Sequence, residues 1–376
     1  MTVSSQTKML DPGGGVAKES SATREFLLEQ LPLIVLTFVA GVGAAYWQHG
    51  FLPGADVPFP LAGVSVPIWH LVWMGFWTGY TMAVVGEAAG IFALPYQMSI
   101  LQFTNISVTP TTQLLTFLNP LGALLGFRRT NQANWDFALW VCVGGAVGAL
   151  IGPFLRLTLL HDAGPFTVVV GLALAVTGLH LVVSGGRGFR QSNAFEKRFA
   201  EAARLEREAG RTPSGLPKGA RIETVSKVGS LLTISYWGET WTMNIRTLFL
   251  VGAGVGIISS ALGVGGGFLL VPIFAAFYRL PIYVLVAASI PYVISLSAIS
   301  IFTYSVVVPF VTGVWAAPEL AWGLFAASGG ILGAWCASKT QRFVPQHLLK
   351  LMLGAITAAA GFLYVASGFV ELPFKL

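Results

Sequence analysis

A cluster of glycines in the second half of the chain is the stretch whose residue types point to chemistry. Residues 263–272 read GVGGGFLLVP and lie inside an apolar segment that runs from about 246 to 277. Because each glycine inside a helix costs about 1 kcal/mol relative to alanine, four glycines in five positions predict a helix break. A helix that begins there offers unpaired N–H groups and the positive end of its dipole. We therefore predict an anion site whose best candidate ligands are Gly265, Gly266 and Gly267.

The first half of the chain carries a degenerate copy of this stretch, GEAAGIFALP, at residues 86–95. Residues 177 positions apart match without a gap: Gly75 with Gly252, Gly79 with Gly256, Gly86 with Gly263, Gly90 with Gly267, and Pro95 with Pro272. Internal duplication is typical of secondary transporters. The copy adds four backbone candidates for the same site: Gly86, Ala88, Ala89 and Gly90.

Glu87 is the unusual residue of the first copy, because Val264 occupies the matching position in the second. A carboxylate at membrane depth is costly and is a functional-site hypothesis by default. Beside an anion it would repel the substrate when ionised and donate a hydrogen bond when protonated, which makes it a candidate for proton coupling. A structural role, in which it caps the N-terminus of a half-helix, is an equally open alternative.

The next apolar segment of each repeat supplies polar groups. Thr111, Thr112 and Gln113 follow Pro110 in the first repeat, and Ser289 and Tyr292 flank Pro291 in the second. Proline interrupts backbone hydrogen bonding, so these side chains either satisfy the helix or face the substrate. Both interpretations stay open.

Close helix packing is the alternative explanation for glycine in a membrane segment. It is favoured for the scattered Gly144, Gly145 and Gly148, whereas the clustering at 263–267 favours a functional site. On that view, replacing Gly266 with leucine should abolish anion binding and leave the protein folded.

The composition excludes a soluble domain. Hydrophobic residues make up 55% of the chain, charged residues only 10%, and the mean hydropathy is +0.72, whereas a soluble domain carries about 25% charged residues. The two cysteines lie in apolar segments, so we expect no disulfide scaffold, metal site or cofactor. The net charge of +6 is interpreted as membrane orientation, not as nucleic-acid binding. An enzyme is not expected, because the apolar segments hold no HExxH, no GxSxG and no paired carboxylates.

The distribution of polar and apolar residues predicts five regions. These are a disordered cytoplasmic tail at 1–30, an extra transmembrane helix at 31–47, repeat 1 at 69–184, a basic cytoplasmic linker with an amphipathic helix at 185–245, and repeat 2 at 246–369.

Basic residues indicate how the repeats cross the membrane. If residues 69–96 crossed fully, Arg128, Arg129 and the basic linker would fall outside, against the positive-inside rule. If the glycine segments instead enter and return, every basic cluster is cytoplasmic. The fold class we expect is an all-α membrane protein of two inverted-topology repeats, each with a re-entrant helical hairpin and three transmembrane helices. The N-terminus would be cytoplasmic and the membrane the plasma (bacterial inner) membrane.

The GVGGGFLLVP stretch, its degenerate copy and the basic central loop together resemble the sulfite exporter TauE/SafE family. The resemblance covers about residues 69–369 and is most specific at 263–272. It implies transport of small anions of sulfur and carbon metabolism, such as sulfite, thiosulfate, sulfoacetate and other organosulfonates. It also implies that Gly263 belongs to the motif together with the other glycines of the cluster.

The leading functional hypothesis is a secondary transporter, preferably an exporter, of a small sulfur-containing anion such as sulfite or an organosulfonate. Its expected partners are that anion, the lipid bilayer and protons as a candidate coupling ion. The alternatives are a passive anion channel and an importer of thiosulfate or of another small carboxylate or oxyanion. No particular oligomeric state is predicted.

Overall fold

The architecture comes from a computed structural model, which describes residues 26–85, 89–121, 134–188, 198, 201–202, 204–205, 221–278, 280, 282–340 and 346–369. Within these residues the chain is mainly helical, and seven helices are long and apolar enough to cross a membrane. The predicted class, a helical membrane protein, is confirmed.

The helices in chain order are α1 (Leu31–His49), α2 (Ile68–Val85), α3 (Gly90–Pro95), α4 (Val108–Leu118), α5 (Trp135–Thr158), α6 (Ala163–Gly188), α7 (Ile245–Leu262), α8 (Gly267–Tyr278), α9 (Ile282–Phe302), α10 (Val308–Thr312), α11 (Leu320–Thr340) and α12 (Gln346–Ser367). Single π-helical segments precede α1 (Phe26–Gln30), follow α3 (Tyr96–Ile100) and precede α10 (Thr303–Val307). The strands are β1 (Ile222–Val228), β2 (Leu231–Tyr236) and β3 (Glu239–Asn244).

Several helix boundaries follow from residue type. The side chains of Asn134 and Asn244 accept hydrogen bonds from the first turns of α5 and α7, as expected for N-caps. Gly50 and Gly313 end α1 and α10 in the left-handed conformation, with φ of 77° and 71°, which glycine adopts without strain.

The helical bundle has two distinct ends. The proline-rich end contains residues 50–67, and Asn105 joins it by donating through Nδ2 to the carbonyl of Leu61 at 2.6 Å. The sheet end contains β1–β3, and Asn134 joins it by donating through Nδ2 to Thr224 Oγ1 at 3.0 Å. These contacts show at which end of the bundle each neighbouring helix begins or ends.

Helix α2 starts at the proline-rich end, and the chain comes back to that end after α3. His70, in the first turn of α2, hydrogen-bonds Tyr96 after α3 over 2.7 Å between Nε2 and the hydroxyl oxygen. Farther along α2, the ring of Trp77 lies 6.4 Å from that of Phe92. The two helices are therefore antiparallel.

Helices α7 and α8 double back in the same way from the sheet end. Helix α7 starts directly after β3, and the Ile245 N–H donates to the Ser230 carbonyl at 2.8 Å. Late in α8, the ring of Phe274 lies 5.6 Å from that of Phe137 in the first turn of α5. Helix α8 therefore runs back toward the end from which α7 came.

Glycines bring α5 and α7 into backbone contact. A Cβ built on Gly144 would lie 2.1 Å from the Phe249 carbonyl oxygen, and one on Gly148 would lie 2.5 Å from that of Ala253. Since a real Cβ does not approach so closely, only glycine fits at these positions. The predicted packing role of Gly144 and Gly148 is confirmed.

Helices α2 and α11 make the matching contact. A Cβ on Gly329 would lie 1.9 Å from the Val72 carbonyl oxygen, and one on Gly333 would lie 1.9 Å from that of Phe76. Val72 and Phe76 stand 177 positions before Phe249 and Ala253. The carbonyl partners of these contacts thus recur with the offset that relates the two glycine stretches, whereas the glycine partners, Gly144 and Gly148 against Gly329 and Gly333, recur with an offset of 185 residues.

A three-stranded sheet near the end of the basic linker was not predicted. Its strands form an antiparallel meander in the order β1-β2-β3, and Trp237 and Gly238 make the β2–β3 turn with φ of 47° and 86°. In β2 the residues Leu232, Ile234 and Tyr236 are buried in alternation. That period of two is the sequence signal for a strand. Most of the predicted amphipathic helix of the linker lies outside the described residues, as does most of the N-terminal tail.

Candidate functional site

The break between α7 and α8 is a buried, left-handed turn. Gly263 ends α7 with φ of 83°, and its N–H donates to the Ser259 carbonyl at 2.8 Å. Gly265 has φ of 73°. A residue with a Cβ pays about 1–2 kcal/mol in this conformation, so the sequence needs glycine at both positions. Residues 261–268 are all buried.

Helix α8 begins with free backbone donors. Its first paired N–H groups belong to Leu269 and Leu270, which donate to the Gly266 carbonyl at 3.3 and 3.0 Å. In the described part of the chain, the N–H groups of Gly266, Gly267 and Phe268 have no acceptor. Unpaired N–H groups at the N-terminus of a twelve-residue helix suit an anion, because the helix dipole is positive there.

The first repeat meets this break directly. A Cβ built on Gly90 would lie 2.6 Å from the Val264 carbonyl oxygen and 2.8 Å from Thr116 Oγ1. Ala89, fully buried, accepts hydrogen bonds from Phe92 and Ala93 through its carbonyl. Gly86, Glu87 and Ala88 lie outside the described residues, so the proton-coupling hypothesis for Glu87 stays a prediction.

The polar residues predicted on α4 are buried beside the break. Thr111 and Thr112 each donate a hydroxyl hydrogen bond to a carbonyl one turn earlier in the chain, at 2.7 and 2.8 Å. Gln113 donates to the Ser259 carbonyl at 3.0 Å and accepts from Ser297 Oγ at 2.7 Å. Of the two interpretations left open, helix satisfaction accounts for both threonine hydroxyls, whereas Gln113 ties α4 to α7 and α9.

Tyr292 holds the break in place. A Cβ built on Gly266 would lie 2.1 Å from Tyr292 Cε1, and the hydroxyl donates to the Gly252 carbonyl at 2.8 Å. A leucine at position 266 would collide with this ring. The expectation that Gly266→Leu leaves the fold intact is therefore wrong, and another substitution is needed to test binding. Ser289, the remaining candidate, is buried one turn before Tyr292 on α9.

Buried polar atoms without a partner occur after α3, at the end of α4, and on α7 and α9. Among the described residues, no hydrogen bond reaches the atoms Gln97 Oε1, Asn119 Oδ1 and Nδ2, Ser259 Oγ and Ser300 Oγ. Buried polar groups are normally paired, and an unpaired one calls for a reason.

Two buried ionisable residues were missed from the sequence. Arg156 on α5 is 1% exposed and Glu319, just before α11, is 0% exposed. No basic residue stands among the predicted site residues, so Arg156, which contacts Thr109 of α4, was overlooked. The signal was available, since Arg156 continues the four-residue spacing of Gly144, Gly148 and Gly152.

The fold and the site define a class of protein. Seven apolar helices of spanning length describe a multi-pass membrane protein.

A comparison with protein families identifies which one. The family model described as sulfite exporter TauE/SafE matches residues 71–364, and the chain belongs to this family. No curated protein and no solved structure matches the chain. Family membership implies a membrane transporter of sulfite-type anions, and members of this family are transporters rather than enzymes.

Proposed function

We propose that this protein is a secondary transporter, working as an exporter, of a small sulfur-containing anion such as sulfite or an organosulfonate. The anion binds where the two glycine breaks meet, on the backbone N–H groups at the start of α8 and of the helix that begins at Gly90. The observation that carries the proposal is the contact between Gly90 and the Val264 carbonyl. It brings the helix that begins at Gly90 to the start of α8, where the N–H groups of Gly266, Gly267 and Phe268 have no acceptor among the described residues.

The proposal includes an inverted-repeat architecture, with repeats at 69–184 and 246–369 joined by a linker at 185–245. Two observations support it. The contacts of α2 with α11 and of α7 with α5 match between the two halves of the chain, with an offset of 177 residues from α2 to α7 and of 185 residues from α5 to α11. Helices α6 and α12 pack antiparallel, since a Cβ on Gly171 would lie 2.8 Å from the Gly361 carbonyl oxygen and one on Gly178 would lie 2.7 Å from that of Gly354. A two-fold axis that exchanges two antiparallel helices is perpendicular to both of them. Such an axis would lie in the membrane plane, so one repeat would be inverted relative to the other.

In this architecture α2–α3 and α7–α8 are re-entrant hairpins that enter from opposite faces. A break in helical structure at membrane depth is tolerated where protein buries it or where it lines a wet cavity. The sheet end, which adjoins the basic linker, is the cytoplasmic end by the positive-inside rule. The N-terminus is then cytoplasmic, and the membrane is the plasma membrane.

The test removes one backbone donor and changes as little else as possible. Proline is tolerated at the first position of a helix but has no N–H, so Gly267→Pro deletes a single donor of the proposed cradle. Gly267→Ala adds a Cβ and keeps the N–H, which makes it the matched control. Purified variants in proteoliposomes are compared for uptake or release of sulfite, sulfoacetate, isethionate and thiosulfate.

We expect Gly267→Pro to lose about tenfold or more in anion affinity, the cost of one hydrogen bond to a charged group, while Gly267→Ala stays near wild type. Equal affinities for the two variants would overturn the backbone cradle. Flux that never exceeds equilibration would identify a passive channel instead. In the same assay, Glu87→Gln with unchanged rate and unchanged pH dependence would remove the proton-coupling hypothesis.

A further inference from the structure

Arg156 lies level with the helix break. Gly144, Gly148 and Gly152 recur every four residues on the face of α5 that meets α7, and Arg156 is the next residue of that series. A Cβ on Gly152 would lie 1.9 Å from Ser260 Oγ, in the last turn of α7. Because α5 and α7 run parallel, one further turn of α5 reaches the level of the break.

The guanidinium of Arg156 is buried with few partners. The residue is 1% exposed, and its Nε and Nη1 donate to Thr109 Oγ1 and the His161 carbonyl, each at 3.4 Å. Good N–H···O hydrogen bonds are about 2.9 Å long, so both contacts are weak. Among the described residues, no carboxylate forms an ion pair with this arginine.

A stacked aromatic ring holds the guanidinium. Its central carbon lies 3.8 Å above the centroid of the Phe166 ring. Stacking covers a face of the planar group and does not use its five N–H donors, which lie in the plane. The side chain is therefore fixed in orientation while most of its donors lack a good acceptor.

Thr109 connects this arginine to the break. Its hydroxyl accepts the Nε hydrogen bond, and its carbonyl oxygen would lie 2.7 Å from a Cβ on Gly263. On the other side, the buried Tyr304 donates to the Ser260 carbonyl at 3.2 Å. Thr109 thus lies between Arg156 and Gly263, the first glycine of the break, and contacts both.

A buried cation without an anionic partner is costly, and an anion that binds it offsets that cost. A guanidinium recognises two oxygen atoms on one centre through two parallel N–H···O bonds. Sulfite and the sulfonate group both present such oxygens, whereas a halide presents a single centre.

We propose that Arg156 is a substrate-binding residue, which holds two oxygen atoms of the transported oxyanion beside the break at Gly263. The inference rests on the proposed function and adds to it a fixed positive charge and a preference for sulfite and sulfonate groups. In the competing structural role, Arg156 only satisfies the Thr109 hydroxyl and the His161 carbonyl.

Binding to the full-length protein in nanodiscs distinguishes the two roles. Affinities for sulfite, sulfoacetate and isethionate are measured by calorimetry for wild type, Arg156→Gln, Arg156→Lys and the control Arg246→Gln. Arg246 is exposed at the start of α7, so its loss removes the same charge away from the break. We expect sulfite affinity to fall about 10- to 100-fold in Arg156→Gln and about tenfold in Arg156→Lys, which keeps the charge and loses the paired geometry. Arg246→Gln should match wild type.

The ratio of the affinities for sulfoacetate and isethionate distinguishes loss of the Arg156 charge from damage to the fold. Sulfoacetate carries a carboxylate in addition to its sulfonate, so loss of the fixed charge should weaken it more than isethionate, whereas a damaged fold should weaken both equally. If wild type binds none of these anions, the proposed function fails. If wild type binds and Arg156→Gln binds equally well, or with an unchanged ratio, only the role of Arg156 fails. Should Arg156→Gln not fold, sulfite affinity within about twofold of wild type in Arg156→Lys would overturn the proposal, because the expected loss is about tenfold.

Discussion

Single residues shape the break through contacts that only glycine permits. The ring of Tyr292 is clamped between Gly266 on one edge and Gly145 on the other, where added Cβ atoms would lie 2.1 and 2.4 Å from it. Its hydroxyl is fixed on the carbonyl of Gly252. The ring therefore positions the start of α8 relative to α5 and α7. It thereby also positions the backbone N–H groups of the break.

We expect Gly266→Ala to destabilise the protein by about 1–3 kcal/mol, the usual cost of overpacking a filled interior. Thermal unfolding in detergent measures the effect. Gly254→Ala, in the middle of α7, is the control, because no atom lies within 4 Å of an added Cβ there. Equal melting temperatures for the two variants would contradict the clamp.

At the scale of single residues, the helix break at the glycine cluster was predicted from the sequence, whereas the buried ionisable residues Arg156 and Glu319 were missed. The cluster at 263–267 was recognisable because glycine is poor in helices, whatever surrounds it. The roles of Thr111 and Thr112 could not be decided, because a hydroxyl beside a proline either bonds its own helix or faces outward, and only the hydrogen bonds distinguish these. Arg156 was overlooked because an arginine near the end of an apolar segment usually reaches the interface, whereas here α4 and Phe166 cover it.

Among the elements, α1 is joined to its neighbours by a buried hydrogen bond between His49 and the carboxyl group of Glu319. Glu319 is fully buried, and its carboxylate bonds His49 at the end of α1 and accepts from the Leu61 N–H at 3.0 Å. The Glu319 N–H in turn donates to Thr111 Oγ1 at 2.9 Å. One residue thereby connects α1, the proline-rich end, α4 and the start of α11.

Removing this carboxylate should loosen α1. We expect Glu319→Ala to cost about 1–3 kcal/mol, since it leaves the His49 ring and the Leu61 N–H without their partner, and His49→Ala to cost little more in that background. The control is Glu239→Ala, whose ion pair with Arg198 at 3.2 Å is exposed and should contribute under about 1 kcal/mol. Thermal unfolding of the three variants gives the comparison, and equal losses for Glu319→Ala and Glu239→Ala would contradict the role of the Glu319 contacts.

Elements with long apolar sequences could be predicted, whereas short elements in polar sequence could not. The extra helix expected at 31–47 is α1, and the apolar segments of both repeats correspond to helices, because a run of apolar residues near bilayer length has few other folds. The sheet was missed because its short strands lie in a basic linker, where charge outweighed the alternation in β2. Pairing between β1, β2 and β3, not local composition, decides that segment.

For the whole molecule, the order of contacts matters more than the number of helices. Helix α2, from the first half of the chain, packs on α11 of the second half. Helix α7, from the second half, packs on α5 of the first half. A helix count cannot reveal this exchange. The repeat offset of 177 was visible in the sequence, whereas the pairing of helices between repeats required the three-dimensional structure.

The decisive prediction at this scale concerns the side of the membrane reached after α3. Asp56, Thr104 and Glu223 are all exposed. Single cysteines at these positions, in a background with Cys142 and Cys336 replaced by serine, are labelled with a membrane-impermeant maleimide in right-side-out and inverted vesicles. Because α2 and α3 run antiparallel, Thr104→Cys should label from the same side as Asp56→Cys, and Glu223→Cys should label from the opposite side. Labelling of Thr104→Cys together with Glu223→Cys would mean that α2 crosses the membrane fully, and the opposed hairpins on which the anion site depends would then be wrong.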